Sequence, residues 1–460
     1  MYQIDFNHPI HVYFIGIGGI SMSGLASILL SEHFTVSGSD RQKSVLTEEL
    51  SALGAEIFYG QSGKNLDIHP DLIVYTSAVH PDNPEYIKGM ELGIPFLTRA
   101  ELLGQLMKNY RLPIAVSGTH GKTTTTSMLS QILLEADTDP TLSIGGIFPA
   151  IHGNIRVGQS DYFVTEACEY TNSFLSLYPK ISLILNIEED HLDFFKDIAD
   201  IRHSFRQFAG LLPADGTLVI NGDIDHLEEI IAGLTCHVIT YGSGPSCDYY
   251  PVDISHDAYG HPSFTLLRKD GKGAGSYALQ IPGIHNVYNA IAAIAAAKAL
   301  GLPEEMIRRG LSEFRGTDRR FEYKGTKCGF TIIDDYAHHP TEITATLQAA
   351  KNYPHNRLWC IFQPHTYTRT KAFMSDFAKA LSHADHIILT DIYAARETDT
   401  LGISSKDLQK EIEKLGRPCF YFSSFKKIEN FVLENCTKND LLITMGAGDV
   451  VKIGENLLMK

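Results

Sequence analysis

Apolar and polar positions alternate between two rhythms along the chain. Residues 11–17 form an aromatic and β-branched run that enters a turn holding Gly16, Gly18 and Gly19. This predicts a strand feeding a tight glycine turn. Helical spacing follows over 24–31. Further strands are predicted at 35–39, ending at Asp40, and at 72–76, ending at Ser77. Such alternation predicts a parallel sheet with crossover helices. The polar stretch 108–111 separates it from a new strand, 114–117, a glycine turn and a helix over 123–134. Strands at 163–165 and 181–186 follow. Residues 243–275, rich in Gly, Ser, Pro and Tyr, read as hairpins or an edge insertion, and an alanine-rich helix spans 286–300. Strands at 331–333, 358–362, 386–389 and 441–444 alternate with helical stretches such as 340–352. The expectation is an α/β protein with three domains in series, 1–108, 109–321 and 322–460.

The length of 460 residues agrees with about three domains. Hydrophobic residues are 44% and charged residues 20%, too apolar for disorder. The 54 acids exceed the 39 bases, for a formal charge of −15. That argues against wholesale binding to nucleic acid or an anionic membrane, so an anionic small ligand needs a locally basic site. Seven scattered cysteines without a CxxC pair read as free thiols in a reducing compartment, the cytoplasm. The first residues show no basic stretch followed by an apolar run, so no signal peptide is expected. No apolar stretch approaches 18 residues; the richest, 290–302, is broken by Lys298.

The sharpest chemical signal is Ser117-Gly-Thr-His-Gly-Lys-Thr123, between a predicted strand and a predicted helix. Glycines let backbone N–H groups close around phosphate oxygens, and the helix N-terminus favours negative charge. Lys122 would reach the β- and γ-phosphates and the Thr123 hydroxyl would hold Mg²⁺. Val116 stands where the GxxxxGK[ST] pattern has its first glycine. A glycine turn with an exposed lysine is the bland alternative, but it leaves the following threonine-rich helix start unexplained.

Acids and a histidine collect at two predicted strand ends, Glu166 and Glu169, then Glu188, Glu189, Asp190, His191 and Asp193. Ligands of open α/β sheets lie beyond the carboxyl ends of strands, so these groups would face the phosphates and hold a bridging metal. The N-terminal Gly16-Ile-Gly-Gly-Ile-Ser21 is a partial dinucleotide fingerprint, with Ser21 in place of the third glycine. Asp40 follows the second strand, where a ribose-binding acid belongs. NAD and another nucleotide phosphate both fit this pattern.

SGTHGKT, TEACEY, NIEEDHLD, HNVYNA, FRGTDRRFE, DDYAHHPTE and FQPHTYTRT stand in the order found in the Mur ligases, which the chain resembles over essentially its whole length. The resemblance implies a Rossmann-like N-terminal domain for a uridine nucleotide, a central ATPase-type domain with a phosphate loop, and a Rossmann-like C-terminal domain that closes over the site. GIGGISMSG and DDYAHHP single out the branch that joins L-alanine to UDP-N-acetylmuramate in peptidoglycan synthesis. ATP is then the co-substrate, Mg²⁺ is expected at two sites, and the protein is a monomer or homodimer. The resemblance assigns Gly118, Thr119, His120, Gly121, Lys122, Thr123, Thr124, Asn286, Asn289, Arg319 and Asp335 to ATP. It assigns Gly18, Gly19, Asp40 and Ser77 to the UDP-sugar, and Tyr336, His338, His365 and Arg369 to the amino acid. Thr123, Glu166 and His191 would hold metal, and Lys122, His338 and Arg369 would be catalytic. The amine's proton would pass to His338 or to a carboxylate.

Two rivals stand beside this. A related ligase attaches a preformed peptide to the same UDP-sugar during cell-wall recycling. An NAD-dependent oxidoreductase would use the N-terminal glycines and leave SGTHGKT without a role. Three departures are visible. Thr366 replaces an arginine that several members carry, and Cys168 replaces an aspartate and is expected to be a small buried thiol. Residues 198–212 hold no lysine, although several sister ligases carry a carbamylated lysine there. The lone Trp359 is expected in the core.

Overall fold

The computed structural model describes residues 2–76, 78–395 and 397–459. Ser77 lies outside the described residues. The chain forms two compact units, one of residues 1–188 and 199–239, the other of residues 189–198 and 240–460. Both are α/β. Among the described residues no helix is long and apolar enough to cross a membrane, and all seven cysteines are free.

The first unit holds a five-stranded parallel sheet in the order Glu56–Tyr59, Thr35–Asp40, His11–Ile15, Leu72–Tyr75, Phe96–Thr98. Its central strand is buried from Val12 to Ile15, as both faces of a covered parallel sheet require. Strand order reverses between His11–Ile15 and Leu72–Tyr75, so a ligand crevice is expected beyond their carboxyl ends, at Gly16–Gly19. Helix Ile20–Ser31 begins four residues before the pattern predicts. Its first turn contains Ser21, Ser23 and Gly24, which carry little helical signal. Gly24 is required by packing, because a Cβ there would lie 2.1 Å from Ile155.

The same unit carries the strands that position the phosphate loop. Leu112–Ser117 lies between Ile181–Ile184 and Tyr162–Glu166, all parallel. Thr217–Asn221 continues the sheet on one side. On the other come Thr141–Phe148 and its antiparallel partner Gly153–Arg156. Helix Lys122–Glu135 is buried along most of its length.

In the second unit, Tyr249–His256, Pro262–Arg268 and Gly273–Ala278 form an antiparallel meander where hairpins were expected. The alanine-rich helix Ile284–Ala299 is buried from Val287 to Ala297 apart from Tyr288. A six-stranded sheet follows in the order Glu322–Lys327, Phe330–Asp335, Leu441–Met445, Leu358–Phe362, His386–Leu389, Cys419–Tyr421. Only the first pairing is antiparallel. Trp359 is core, at 2% exposure, with its indole N–H donating to Asp440.

Candidate active site

The phosphate loop is held open by its neighbours. Gly118 has φ +147° and a Cβ there would lie 2.9 Å from the Cβ of Leu185, so only glycine fits. Gly121, at φ +83°, starts helix Lys122–Glu135. Asn186 ties the loop to the next strand. Its carbonyl accepts from Thr119 N–H at 3.2 Å, its side-chain oxygen accepts from His120 N–H at 2.7 Å, and its amide donates to the His120 carbonyl. Thr119 Oγ1 accepts from Glu188 N–H at 2.9 Å, and His120 lies 3.6 Å from the Glu188 carboxylate. Asn186 is absent from the sequence-based assignment, although it ends an apolar run and opens the NIEEDHLD segment.

Lys122 folds back on this loop. Its ammonium donates to the carbonyls of Gly118 and Thr119 and to both oxygens of Glu169, at 3.0 and 3.1 Å. Glu169 is 3% exposed. Burial pulls the lysine pKa down, Glu169 with Cys168 and Glu166 pushes it up by more, and the group stays charged. Thr123 and Thr124 are buried at the helix start.

Glu166 ends strand Tyr162–Glu166, in register with Val116 on the loop's own strand. Its carboxylate accepts from Gly145 N–H at 2.6 Å. A Cβ at Gly145 would lie 2.6–2.8 Å from that carboxylate, so glycine leaves the room it occupies. A cavity of about 340 Å³ opens here, lined among others by Ser21, Arg99, Gly145, Glu166 and Cys168. Arg99 donates to Ser21 Oγ at 3.1 Å, and burial lowers its pKa. Arg99 is a second residue missing from the sequence-based assignment. It sits inside a Thr98–Glu101 capping box and reads as a helix start. Cys168 is partly exposed on this cavity rather than buried.

At the N-terminal glycines, Gly16 has φ +82°. Gly18 N–H donates to Asp40 at 2.9 Å, and a Cβ at Gly18 would lie 2.7 Å from that same carboxylate oxygen. Asp40 thus braces the turn, and Gly19 caps helix Ile20–Ser31.

The remaining assigned residues belong to the second unit. His191 has φ +52°, and its N–H donates to Asp190 Oδ1 at 2.7 Å. Asp190 holds Arg369 through Nε and Nη2 at 3.1 and 2.7 Å. Burial raises the Asp190 pKa, but Arg369 and His191 outweigh it and hold the carboxyl far below its usual range. His338 Nδ1 lies 3.0 Å from the Tyr336 carbonyl. This geometry calls for Nδ1–H as donor and leaves the lone pair on Nε2. Burial, with Arg369 and His365 adding to it, pulls the His338 pKa down to about 4 against the pull of Glu342 and Asp190. His338, His365 and Tyr393 form a run of ring contacts at 5.6 and 5.8 Å.

Asp335 accepts from the N–H groups of Phe321 and Ala337, both at 2.8 Å, and burial raises its pKa to about 6. Arg319, at φ +61°, donates to Asp334 and to the carbonyls of Gly446 and Gly448. It therefore clamps the strand ends of the six-stranded sheet. Arg319 and Arg320 both lie over the Tyr336 ring, at 5.0 and 5.1 Å. Asn286 and Asn289 are buried and bonded to each other at 3.1 Å at the start of helix Ile284–Ala299.

Parallel sheets, a glycine loop running into a helix and a lysine cradled there define an α/β protein whose strand-end loop has the build of a phosphate loop. Three family models tile the chain: "Mur ligase family, catalytic domain" at residues 11–111, "Mur ligase middle domain" at 116–297, and "Mur ligase, glutamate ligase domain" at 319–448. The chain belongs to the Mur ligase family, with its three-domain α/β architecture. It is 60% identical over 460 residues to a UDP-N-acetylmuramate–L-alanine ligase of Agathobacter rectalis, covering 100% of both chains. It is 59% identical over 459 residues to the protein so named from Lachnospira eligens, again covering 100% of both. Among solved structures it resembles a UDP-N-acetylmuramate–alanine ligase of Thermotoga maritima, with TM-score 0.81, 29% identity and 98% of each chain covered. A murein peptide ligase of Psychrobacter arcticus matches with TM-score 0.71, 27% identity and 98% of each chain covered.

Proposed function

We propose that this protein joins L-alanine to the carboxylate of UDP-N-acetylmuramate, with cleavage of ATP to ADP and phosphate, in the cytoplasmic synthesis of peptidoglycan precursors. The observation that carries it is the loop Ser117–Thr123 with Lys122 at its helix start and Glu166 one strand away, in a chain 60% identical end to end to a ligase of that name. The division of labour is 1–108 for the UDP-sugar, 109–321 for ATP and 322–460 for the amino acid. Gly18, Gly19, Asp40 and Ser77 serve the uridine diphosphate. Arg99, facing the cavity beside Ser21 and Glu166, adds positive charge where an anionic substrate must lie.

A carboxylate is a poor acylating agent because oxide would have to leave. Its oxygen attacks the γ-phosphorus of ATP, ADP departs, and the acyl phosphate carries a good leaving group. The alanine nitrogen then attacks the carbonyl carbon, phosphate leaves and an amide forms. Lys122 exchanges Glu169 for the phosphates and offsets charge that develops on the transferring group. The Thr123 hydroxyl and Glu166 would hold Mg²⁺, a hard cation suited to oxygen donors, the space beside Gly145 leaves the Glu166 carboxylate room for it, and the family resemblance adds His191 as a nitrogen ligand. Such an ion supplies further charge neutralisation. Arg369 receives the amino acid's carboxylate beside Tyr336 and His365. His338, neutral with its lone pair on Nε2, takes the amine's proton. Asn286, Asn289, Arg319 and Asp335 border the nucleotide.

Phosphate release from ATP with UDP-N-acetylmuramate and each amino acid in turn tests this. Release with L-alanine is expected. Release with an L-Ala-γ-D-Glu-containing tripeptide but not with L-alanine would overturn it and place the protein in cell-wall recycling.

A further inference from the structure

We infer that Asp190 is the positioning residue for Arg369, fixing the guanidinium that meets the carboxylate of the incoming amino acid. This rests on the reading of Arg369 given above. Asp190 follows a strand end and reads in sequence as an acid for phosphate-bound metal. In the structure its Oδ1 instead accepts both Nε–H and Nη2–H of Arg369, at 3.1 and 2.7 Å, and the two side chains are 9% and 10% exposed. On the other side, Arg369 Nη1 lies 3.3 Å from His365 Nδ1. Among the described residues three of the five guanidinium N–H groups are so engaged, and two remain for a ligand.

An arginine side chain has several rotatable bonds, and its fork recognises a carboxylate only when its plane is set beforehand. Asp190 sets that plane from one edge and His365 from the other. The segment carrying Asp190 is itself anchored, because the Glu189 carbonyl lies 3.1 Å from His339 Nε2. Asp190 Oδ1 also takes the N–H of His191, which has a left-handed backbone. An asparagine at this position would keep an oxygen for the His191 N–H and lose only the charge that holds the arginine fork.

The test is steady-state kinetics of the full-length enzyme with each substrate varied in turn. Asp190→Asn should raise the KM for L-alanine roughly ten- to a hundredfold, as misplaced positioning groups do. The KM values for ATP and UDP-N-acetylmuramate should stay within about twofold. Asp190→Glu keeps the charge and should recover part of the loss. An unchanged alanine KM in Asp190→Asn, or a rise shared equally by all three substrates, would overturn the inference. Arg369→Ala separates the two levels. If it leaves the alanine KM unchanged, the reading of Arg369 fails; if it raises that KM and Asp190→Asn does not, only the role of Asp190 fails.

Discussion

Lys122 and Glu169 show how much a single side chain decides. Lys122→Ala should leave the fold intact by circular dichroism and cut ATP-dependent ligation by at least 10²-fold, the usual cost of losing one charge-stabilising donor. Near-wild-type turnover would remove the phosphate-loop reading. Glu169→Ala is a different experiment. It leaves a 17%-exposed ammonium without its carboxylate, and breaking a buried pair in this way costs roughly 3–5 kcal/mol. A lower denaturant midpoint is expected even without nucleotide. The sequence placed Glu166, Glu169 and Asp190 in one class, acids at strand ends facing phosphate. The structure divides them, because Glu166 meets Gly145 N–H whereas Glu169 and Asp190 meet cations. Which partner a carboxylate takes depends on strands brought together from distant segments, and local pattern does not carry that. Lys122 was legible because its neighbours in sequence are also its neighbours in space.

Elements follow the same division between local and distant causes. Central strands such as Leu358–Phe362 and His386–Leu389 match their predicted bounds, because burial on both faces leaves a short run that is apolar from Leu358 to Phe362 and from Ile387 to Leu389. Edge strands Glu56–Tyr59 and Phe96–Thr98 escaped notice, being four and three residues long with polar positions. Strand Thr141–Phe148 was also missed, since Gly145 and Gly146 interrupt it. That interruption has a purpose the pattern does not reveal, because Gly145 makes room for the Glu166 carboxylate. Gly145→Ala should therefore displace Glu166 and raise the Mg²⁺ concentration needed for half-maximal rate several-fold, with little change in thermal stability. An unaltered Mg²⁺ titration would count against Glu166 as a metal ligand. Helix Ile198–Ala209 carries no lysine. Added bicarbonate should leave activity unchanged, and bicarbonate-dependent activation would point to a carbamate on a lysine elsewhere.

At the scale of the molecule, the second unit gathers ionisable groups, Asp335 buried and His285 and His338 largely so, whose protonation is coupled to folding. Burial is the chief cause in each case. It pulls His285 and His338 down to about 4 and raises Asp335 to about 6. Glu342 opposes the shift of both histidines, while Arg320 lowers His285 and Arg369 lowers His338. Arg320 also opposes the rise at Asp335. Unfolded histidine titrates near 6.5, so between pH 6.5 and 4 the unfolded chain binds protons that these folded histidines refuse. Stability then falls as pH drops through that window. Asp335 acts in the opposite sense, because the folded form holds its proton between about 6 and 4 while the unfolded form has lost it. Two histidines outweigh one aspartate, and the net loss from pH 7 to pH 5 is roughly 2–3 kcal/mol. Trp359, the only tryptophan, is buried in this unit and offers the readout. Denaturant titrations followed by its fluorescence should show a midpoint that falls from pH 7 to pH 5. His285→Gln and His338→Gln should each flatten that fall, and a midpoint independent of pH in the parent protein would contradict neutral burial of both imidazoles.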